Sequence, residues 1–423
     1  MKTLLFQNAT LLDGSTAFVA VEGAVITYIG AEKPEGVFDR VIDCRGNLLM
    51  PGLYNTHCHS PMILFRGYGE DMALQDWLEK RIYPAEDRLS PEKVRAASLL
   101  AIAEMLRGGT VSFSDMYFFC DETAKAVIES GIKANISRSL VSFSPDATIK
   151  GDPRFAEAEA LVRDYHNAAE GRVKIDMSLH AEYTNTERYI REVAEFTAEK
   201  GLLMQTHLSE TEREHTECMA RHGGLTPTAF YDACGLFRSP TTCAHGVWLT
   251  EGDMEILAQR GATVAHNPGS NLKLGSGVAK VDRLAEKGVN VSLGTDGAAS
   301  NNALDIFREM YLASLLAKGI GRDPTLGKAE TVIEMATKNG AFAQRRDKSG
   351  EMKVGYAADL ILVSLESLNT TPTYDPRYTL LYSASSRDVM MTVVDGKILY
   401  ENGEFTTLDV EKLKHEFKKV CDY

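Results

Sequence analysis

Two histidines stand two residues apart in the segment NTHCHSPM, at His57 and His59, after the apolar run NLLMPGL. A β-strand turns alternate side chains to the same face, so both imidazoles point to one side at the end of a strand. Packed or solvated histidines show the same spacing, and a metal site requires further ligands downstream. Because imidazole nitrogens are ligands that zinc prefers, the remaining histidines and carboxylates are the residues to place next.

Five more polar side chains close predicted strands along the middle of the chain. They are His180 after KIDMSL, His207 after LLMQT, His245 after TTCA, His266 after ATVA and Asp296 after VNVSLGT. Imidazoles with one carboxylate suit zinc, or less often iron, and a catalytic zinc keeps one position open for water. We therefore predict a metal site made by His57, His59, His207 and Asp296.

Two residues are predicted to act on the water beside the ligands. Glu210, three residues after His207 in HLSE, is placed to take a proton from the water and to deliver it to a substrate. Asp296 would also hold the attacking hydroxide by a hydrogen bond. His245 is interpreted as a second hydrogen-bonding group and not as a ligand, because no lysine on the fourth strand could bridge a second metal. His266 is predicted to support the site without binding the metal.

These residues need a scaffold that brings the ends of distant strands together. Apolar strand-like runs such as TVSFSDMYF alternate with helical stretches such as CDETAKAVIESGI over about 300 residues. Repeated β-then-α units predict a parallel sheet, and eight units predict an α/β fold of the (β/α)8 TIM-barrel type, over residues 52–355. In such a barrel the active site lies at the carboxyl ends of the strands, where the polar residues stand.

Both chain ends show a different pattern. Residues 1–51 and 356–423 contain short alternating strands that are rich in Val, Ile and Leu, with hairpin signals at Asp395–Gly396 and Asn402–Gly403. We predict that the two ends pair into one small β-sandwich domain.

Composition excludes several classes of function. The formal net charge is −13 over 423 residues, and no basic stripe is present, which argues against a nucleic-acid partner. No window of about 18 apolar residues occurs, so no membrane span is expected. The start of the chain does not resemble a signal peptide, and the seven scattered cysteines form no C-x-x-C pair. These features predict reduced thiols and a cytoplasmic protein.

Several segments together resemble the amidohydrolase superfamily over essentially the whole chain. The matching segments are PGLYNTHCHSP, RGYGEDMALQDWLEKRIYPAED, QTHLSET, CAHGVWL, AHNPGSNLKLGSG and LGTDGAASNNALDIFREM. The stretch RGY…LQDWLEKRIYPAE is similar to the branch of 5′-methylthioadenosine/S-adenosylhomocysteine deaminases and its near relatives.

The resemblance implies one metal per chain, with Glu210 as the proton shuttle, and it implies substrate contacts. Glu86 in YPAED would meet ribose hydroxyls, and His180 would hydrogen-bond the purine ring. Arg138 in ISRSL would pair with the carboxylate of a homocysteine arm, since a guanidinium offers two N–H donors to two oxygens. The family often carries a second arginine nearby, for which this sequence offers only Lys150 or Arg154.

The implied reaction is zinc-dependent hydrolytic deamination, with Glu210 and Asp296 in contact with the substrate. A 6-aminopurine nucleoside (5′-methylthioadenosine, S-adenosylhomocysteine or adenosine) and water would give a 6-oxo purine and ammonia. One alternative is a related enzyme acting on guanine, another purine, a pyrimidine or a triazine. A remote alternative is a catalytically silent barrel that serves as a binding protein. Assembly into a homo-oligomer is left open by the sequence.

Overall fold

The computed structural model describes residues 2–421, which form two nine-stranded sheets and the helices around them. The strands in chain order are β1 (Thr3–Thr10), β2 (Thr16–Glu22), β3 (Val25–Gly30), β4 (Arg40–Asp43), β5 (Asn47–Pro51), β6 (Leu53–Cys58), β7 (Thr110–Tyr117), β8 (Lys133–Leu140), β9 (Val173–Ile175), β10 (Met177–Leu179), β11 (Met204–Leu208), β12 (Thr241–His245), β13 (Thr263–His266), β14 (Asn290–Leu293), β15 (Leu360–Ser364), β16 (Val389–Val394), β17 (Lys397–Glu401) and β18 (Glu404–Phe405).

Helices follow most of the strands in the middle of the chain. They are α1 (Leu74–Trp77), α2 (Tyr83–Glu86), α3 (Pro91–Arg107), α4 (Cys120–Ser130), α5 (Pro153–Tyr165), α6 (Glu187–Lys200), α7 (Glu212–Arg221), α8 (Pro227–Ala233), α9 (Glu251–Arg260), α10 (Pro268–Lys273), α11 (Val281–Glu286), α12 (Ala298–Asn301), α13 (Ile306–Gly321), α14 (Ala329–Ala336), α15 (Lys338–Ala343), α16 (Pro376–Tyr382) and α17 (Val410–Val420). A π-helical turn, Leu78–Ile82, joins α1 to α2.

Local sequence explains where many of these helices begin. A side-chain oxygen of Ser, Thr or Asp accepts a hydrogen bond from a backbone N–H of the first turn, which otherwise has no partner within the helix. The residues that cap in this way include Ser90, Asp152, Thr211, Thr226, Thr250, Asp305 and Asp409. Each of these residues immediately precedes its helix, and the predicted strand-then-helix alternation is present in the structure.

Eight parallel strands form a nearly closed barrel, as predicted. Their order is β6-β7-β8-β10-β11-β12-β13-β14, and β9 pairs with β8. The first and last strands meet where the backbone N–H groups of Thr295 and Asp296 donate to the carbonyl oxygen of His57, at 3.1 and 3.0 Å. The Thr56 hydroxyl also donates to the carbonyl oxygen of Leu293 across the same seam, at 2.8 Å. The carboxyl ends of all the barrel strands therefore meet at one face.

The predicted single strand KIDMSLH is interrupted in the structure at Asp176, between β9 and β10. The Asp176 carboxylate points into a buried polar network, where it accepts hydrogen bonds from the side-chain amides of Asn135 and Gln205. Its backbone N–H donates to the carbonyl oxygen of Ile136, at 2.9 Å. The sequence pattern did not reveal this break, because Asp176 pairs with residues from other strands.

The two chain ends build one mixed sheet, in the order β18-β17-β16-β15-β5-β1-β2-β3 with β4 beside β1. Strands β5 and β15 join the ends in antiparallel register, with Leu360 opposite Pro51. One set of apolar side chains from this sheet, including Phe6 and Leu362, packs together as a separate core cluster. The division of the chain at residues 51 and 356 stays a prediction, and residues 1, 422 and 423 of it lie outside the described part.

The hairpin between β16 and β17 turns at Asp395 and Gly396, as predicted. Both residues have positive φ angles, +45° and +68°, which a two-residue hairpin loop requires. A Cβ atom at Gly396 would lie 1.9 Å from the carbonyl oxygen of Gly23. Only glycine fits this position, since the neighbouring strand is too close for any side chain.

A buried ion pair fastens the barrel to the sheet of the chain ends. The Lys133 ammonium on β8 lies 2.6 Å from Asp359 Oδ2 and 2.6 Å from Asp395 Oδ1. The side chains of Lys133 and Asp359 are almost fully buried, whereas that of Asp395 is 20% exposed, so water could replace Lys133 at Asp395 but not at Asp359. The charges stabilise the contact only as a set, because a buried charge without a partner is strongly unfavourable.

We expect Lys133→Ala to lower the free energy of unfolding by about 3–5 kcal/mol, because it leaves the buried carboxylate of Asp359 without a counter-charge. Urea unfolding followed by circular dichroism measures this loss. Lys125→Ala is the matched control, since it removes a partly exposed lysine that pairs with Asp121 on α4 and should cost about 0.5 kcal/mol. Equal midpoints for the two variants would contradict the structural role of Lys133.

Candidate metal centre and active site

Four predicted ligands converge at the carboxyl face of the barrel. The ligand atoms of His57, His59, His207 and Asp296 all lie within 4.8 Å of one another. Asp296 Oδ1 is 3.5 Å from His57 Nε2 and 3.1 Å from His59 Nε2, and the Nε2 atoms of His59 and His207 are 3.3 Å apart. The residues come from the end of β6, from β11 and from the turn after β14, so only the closed barrel brings them together.

Backbone carbonyl groups orient two of the imidazoles. His59 Nδ1 lies 2.5 Å from the carbonyl oxygen of Met116, and His207 Nδ1 lies 2.5 Å from that of His180. A carbonyl oxygen only accepts, so each Nδ1 carries the proton and each Nε2 can turn a lone pair to the centre. His57 Nε2 is buried there without a hydrogen-bond partner among residues 2–421. Ligand atoms whose lone pairs face one another at distances of 3.1 to 3.5 Å fit a cation bound between them.

Electrostatics agree with a cation at this place. Burial lowers the pKa of His57 to about 4 and that of His207 well below its ordinary value, so both imidazoles are neutral. Burial alone would also lower the pKa of His59, but the Asp296 carboxylate outweighs it and raises that pKa to about 9. A metal ion would compete with protons for these nitrogens. Three nitrogens and one oxygen are a donor set that suits zinc.

Two serines hold the second oxygen of Asp296. Ser270 Oγ on α10 and Ser300 Oγ on α12 donate to Asp296 Oδ2, at 2.6 and 2.8 Å. Oδ1 is thereby left facing the imidazoles. Sequence reasoning missed both serines. Their position in NPGSN, just after the strand that ends in His266, and in DGAAS, which begins with Asp296, is the only signal that could have indicated them.

Glu210 is buried beside the four ligands, in the loop that follows β11. Its Oε1 atom accepts a hydrogen bond from Ser276 Oγ at 3.2 Å, and its Oε2 atom lies 3.8 Å from His245 Nε2. Burial raises the pKa of Glu210, which makes the carboxylate a better proton acceptor than one in water. These properties are compatible with the proton-shuttle role, which stays a prediction for Glu210.

A hydrogen bond at Nδ1 orients the ring of His245. Its Nδ1 atom lies 2.8 Å from the side-chain oxygen of Asn271, which accepts a hydrogen bond from the Nδ1–H group. Nε2 is then free to accept a hydrogen bond on the side of Glu210. His245 is at the end of β12 with a positive φ of +75°, a conformation that turns the side chain into the site.

Glu214, which the sequence analysis did not select, holds the loop that carries Glu210. Its carboxylate accepts hydrogen bonds from the backbone N–H groups of Ser209 and Glu210, at 2.8 and 2.7 Å. Ser209 has a positive φ of +48°, which is unfavourable for a residue with a side chain. Two bonds to one buried carboxylate offset that strain, so Glu214 positions the backbone of Glu210. The spacing HLSETERE, with an acidic residue in the first turn of α7, was the available signal.

A cavity of about 470 Å³ opens from the ligands towards solvent. His180 and Glu86 line it, as the sequence analysis predicted for substrate contacts. Burial raises the pKa of Glu86 to about 7 and lowers that of His180 to about 4. Trp77 and Leu78 also line the cavity, so the segment from α1 to α2 forms one wall of it. A volume of this order is sufficient for a small organic ligand.

Arg138 is not brought into this cavity. It lies on β8 next to Ser139, which does line the cavity, and alternate side chains of a strand point to opposite faces. Its Nε donates to Glu157 Oε2 at 2.6 Å, and its Nη1 donates to the carbonyl oxygen of Ser139 at 2.6 Å. Lys150 is exposed, and Arg154 pairs with Asp152, which caps α5. The substrate contact assigned to Arg138 stays a prediction.

His266 at the end of β13 is fully buried but does not line the cavity. Neither of its ring nitrogens has a hydrogen-bond partner within the described chain, and burial lowers its pKa to about 3. The supporting role predicted for it is not tested by any contact.

Comparison with known proteins agrees with the geometry. The model of the amidohydrolase family matches residues 48–399. The chain belongs to the amidohydrolase family. This amidohydrolase is 43% identical over 429 residues to a 5′-deoxyadenosine deaminase of Methanosarcina mazei, a match that covers 100% of this chain and 98% of the relative. It is 44% identical over 395 residues to a 5-methylthioadenosine/S-adenosylhomocysteine deaminase of Dictyoglomus thermophilum, over 93% and 92% of the two chains. The predicted family is thus confirmed.

Solved structures give the same answer for the fold of this amidohydrolase. A zinc-bound crystal structure of an adenosine deaminase from Xanthomonas campestris superposes with a TM-score of 0.92 and 32% identity. The match covers 98% of this chain and 97% of the other. Within residues 2–421 of this amidohydrolase, no helix is both long and apolar enough to cross a membrane.

We expect Glu214→Gln to lower kcat by about 100-fold, because an amide offers one acceptor oxygen to two N–H donors and the Glu210 carboxylate would be misplaced. Metal content should not change, since the four ligands are intact. Steady-state kinetics and elemental analysis measure the two quantities. Glu212→Gln is the control, because Glu212 is exposed on the same turn of α7. Unchanged kcat in Glu214→Gln, or equal losses in both variants, would refute the positioning role.

Proposed function

We propose that this amidohydrolase is a metal-dependent deaminase that replaces the 6-amino group of a purine nucleoside with oxygen and releases ammonia. The observation that carries the proposal is the position of Glu210, a buried carboxylate next to His245 and beside four converging ligands in a cavity that also contains Glu86. The names of the two curated relatives, which are nucleoside deaminases, support it. The enzyme class that the sequence predicted, a hydrolase of C–N bonds, agrees with the family.

One zinc per chain is part of the proposal, with iron as the alternative. His57, His59, His207 and Asp296 would hold it, and when bound it would activate a water molecule by lowering the pKa of that water towards neutrality. The donor set favours zinc because imidazole nitrogens outnumber the single carboxylate oxygen. The zinc in the Xanthomonas campestris adenosine deaminase supports the same choice.

The chain's own residues supply the proton transfers. Glu210 takes a proton from the attacking water and delivers it to the ring nitrogen beside the amino-bearing carbon, where its raised pKa suits both steps. A carbon–oxygen bond forms at that carbon. His245 and Asp296 hold the incoming oxygen and pass its remaining proton to the amino group. The carbon–nitrogen bond then breaks, ammonia leaves, and the 6-oxo purine is formed.

Two other residues would hold the nucleoside. Glu86 would accept hydrogen bonds from the ribose hydroxyls, and His180 would bond the purine ring. Both line the same cavity as the ligands, which supports these roles. The partners in this proposal are a small nucleoside and water, and homo-oligomerisation stays a prediction.

Ultraviolet absorbance tests the function, because conversion of a 6-amino to a 6-oxo purine changes the spectrum directly. The metal-loaded protein would be assayed with adenosine, 5′-deoxyadenosine, 5′-methylthioadenosine, guanine and adenine. We expect turnover of the 6-aminonucleosides, and Glu210→Gln should lower kcat by about 100- to 10,000-fold with unchanged metal content.

The other outcomes of that panel are equally decisive. Turnover of guanine alone would replace the proposal with the related base deaminase considered in the sequence analysis. Metal binding without ammonia release from any compound would favour the catalytically silent barrel. Full turnover by Glu210→Gln would show that another group moves the proton.

The KM for a nucleoside should rise several-fold as the pH falls below about 7. The pKa of Glu86 is raised to about 7, so its carboxyl is ionised above this pH and can accept two ribose hydroxyls, whereas below it the group is neutral and binds them less well. Steady-state KM values between pH 5.5 and 8.5 (~3 pH units around the pKa) measure the effect. A 2′,3′-dideoxy nucleoside and Glu86→Gln are the controls. The same pH dependence in either control would assign it to another group.

A further inference from the structure

The cavity wall away from the metal ligands is apolar. Its members come from the α1–α2 segment, from the end of β7 and from the segment after β8. They are Leu74, Trp77, Leu78, Phe118, Val141 and Phe143. Several of them belong to one hydrophobic cluster, in which Trp77 and Leu78 pack with Phe118. In the proposed binding mode, with the purine at the ligands and the ribose at Glu86, the 5′ substituent would contact this wall.

The charged side chains that face the cavity are acidic, apart from the histidines. Glu86, Asp87, Glu210 and Asp296 line it, and among residues 2–421 no lysine or arginine does. A carboxylate on the 5′ substituent would therefore lose water on entering and would meet no lysine or arginine of the described cavity lining. Leaving such a group unpaired in a largely apolar site costs binding free energy that an apolar substituent does not lose.

The one guanidinium predicted to meet such a carboxylate is already engaged. Arg138 donates to Glu157 Oε2 at 2.6 Å, and its guanidinium carbon lies 4.8 Å from the centre of the Phe118 ring. Phe118 lines the cavity, whereas Arg138 does not and packs on the Phe118 ring. Only 10% of the Arg138 side chain is exposed, whereas 57% of the Glu157 side chain is. Because Glu157 lies on α5, the ion pair joins β8 to this outer helix.

We propose that the cavity selects 6-aminopurine nucleosides with an uncharged, apolar 5′ substituent over those that carry a carboxylate, and that Glu157 determines this specificity by holding Arg138 outside the cavity. Nucleosides with a 5′-deoxy or a 5′-methylthio group have the preferred chemistry. The inference rests on the proposed deaminase function and adds to it the class of substituent and a residue that controls it.

Three nucleosides separate the charge of the substituent from its length. They are 5′-methylthioadenosine, 5′-butylthioadenosine and S-adenosylhomocysteine, of which the second is close in length to the third and has no charge. We expect kcat/KM for S-adenosylhomocysteine to be at least about 10-fold below that for the butylthio compound, as a mismatched polar group in an enzyme pocket produces. Equal values for these two would overturn the selectivity. Inactivity on all three would overturn the selectivity if adenosine is still deaminated, and would refute the deaminase function itself if adenosine and 5′-deoxyadenosine are not deaminated either.

Glu157→Gln tests the specificity residue. Glu157 is exposed on α5, so the variant should fold, and it should leave turnover of 5′-methylthioadenosine unchanged. Loss of the carboxylate frees Arg138, so kcat/KM for S-adenosylhomocysteine should rise by about 3-fold or more, with the gain in KM. The double variant Glu157→Gln with Arg138→Ala should lose that gain.

Glu159→Gln is the matched control, since it removes the same charge from an exposed position of the same helix. If Glu157→Gln raises activity on S-adenosylhomocysteine no more than Glu159→Gln does, the assignment of Glu157 is wrong. If the gain persists without Arg138, the effect comes from charge alone, which would also overturn the assignment.

Discussion

At the candidate metal centre, imidazole nitrogens and a carboxylate oxygen point towards one buried position. This arrangement is the constraint on which the rest of the structure depends. The Nε2 atoms of His59 and His207 are 3.3 Å apart, and the carboxylate of Asp296 lies beside them, away from water. Such an arrangement is unfavourable unless a cation or protons are shared among the groups. The fold therefore has to hold the side chains in place from outside, and most of the polar contacts around the centre do so.

Each reactive side chain has a partner that acts on its other end. Backbone carbonyl oxygens accept hydrogen bonds from the Nδ1–H groups of His59 and His207, and the side-chain oxygen of Asn271 accepts one from His245. Two serine hydroxyls donate hydrogen bonds to the second carboxylate oxygen of Asp296. Glu214 does the same through the backbone, since it binds N–H groups of the loop that carries Glu210. A metal site and a proton shuttle need this orientation because their chemistry depends on the direction of lone pairs.

The barrel and the sheet of the chain ends contribute differently to the site. Closure between β6 and β14 places His57 and Asp296 side by side, because backbone N–H groups at Thr295 and Asp296 bond the carbonyl oxygen of His57. The sheet of the chain ends contacts the opposite side of the barrel, where Lys133 joins Asp359 and Asp395. One wall of the cavity depends on neither closure nor the second sheet, because short helical segments between β6 and β7 form it by packing on the end of β7.

The sequence by itself determined the barrel and the pairing of the chain ends, and it predicted which side chains converge at the carboxyl face, with Glu210 beside them. Those features follow from strand periodicity and from residue types at strand ends, which are local properties that tertiary contacts did not override. Tertiary structure alone decided the roles of Ser270, Ser300, Asn271 and Glu214, the break at Asp176, and the direction of Arg138. Serine, asparagine, glutamate and arginine are common in loops and helices, and only their distance from groups far away in the chain distinguishes a supporting residue from a solvated one. Arg138 shows this most clearly, because its sequence motif predicts a substrate contact while its side chain pairs with Glu157 on the outer face of the strand.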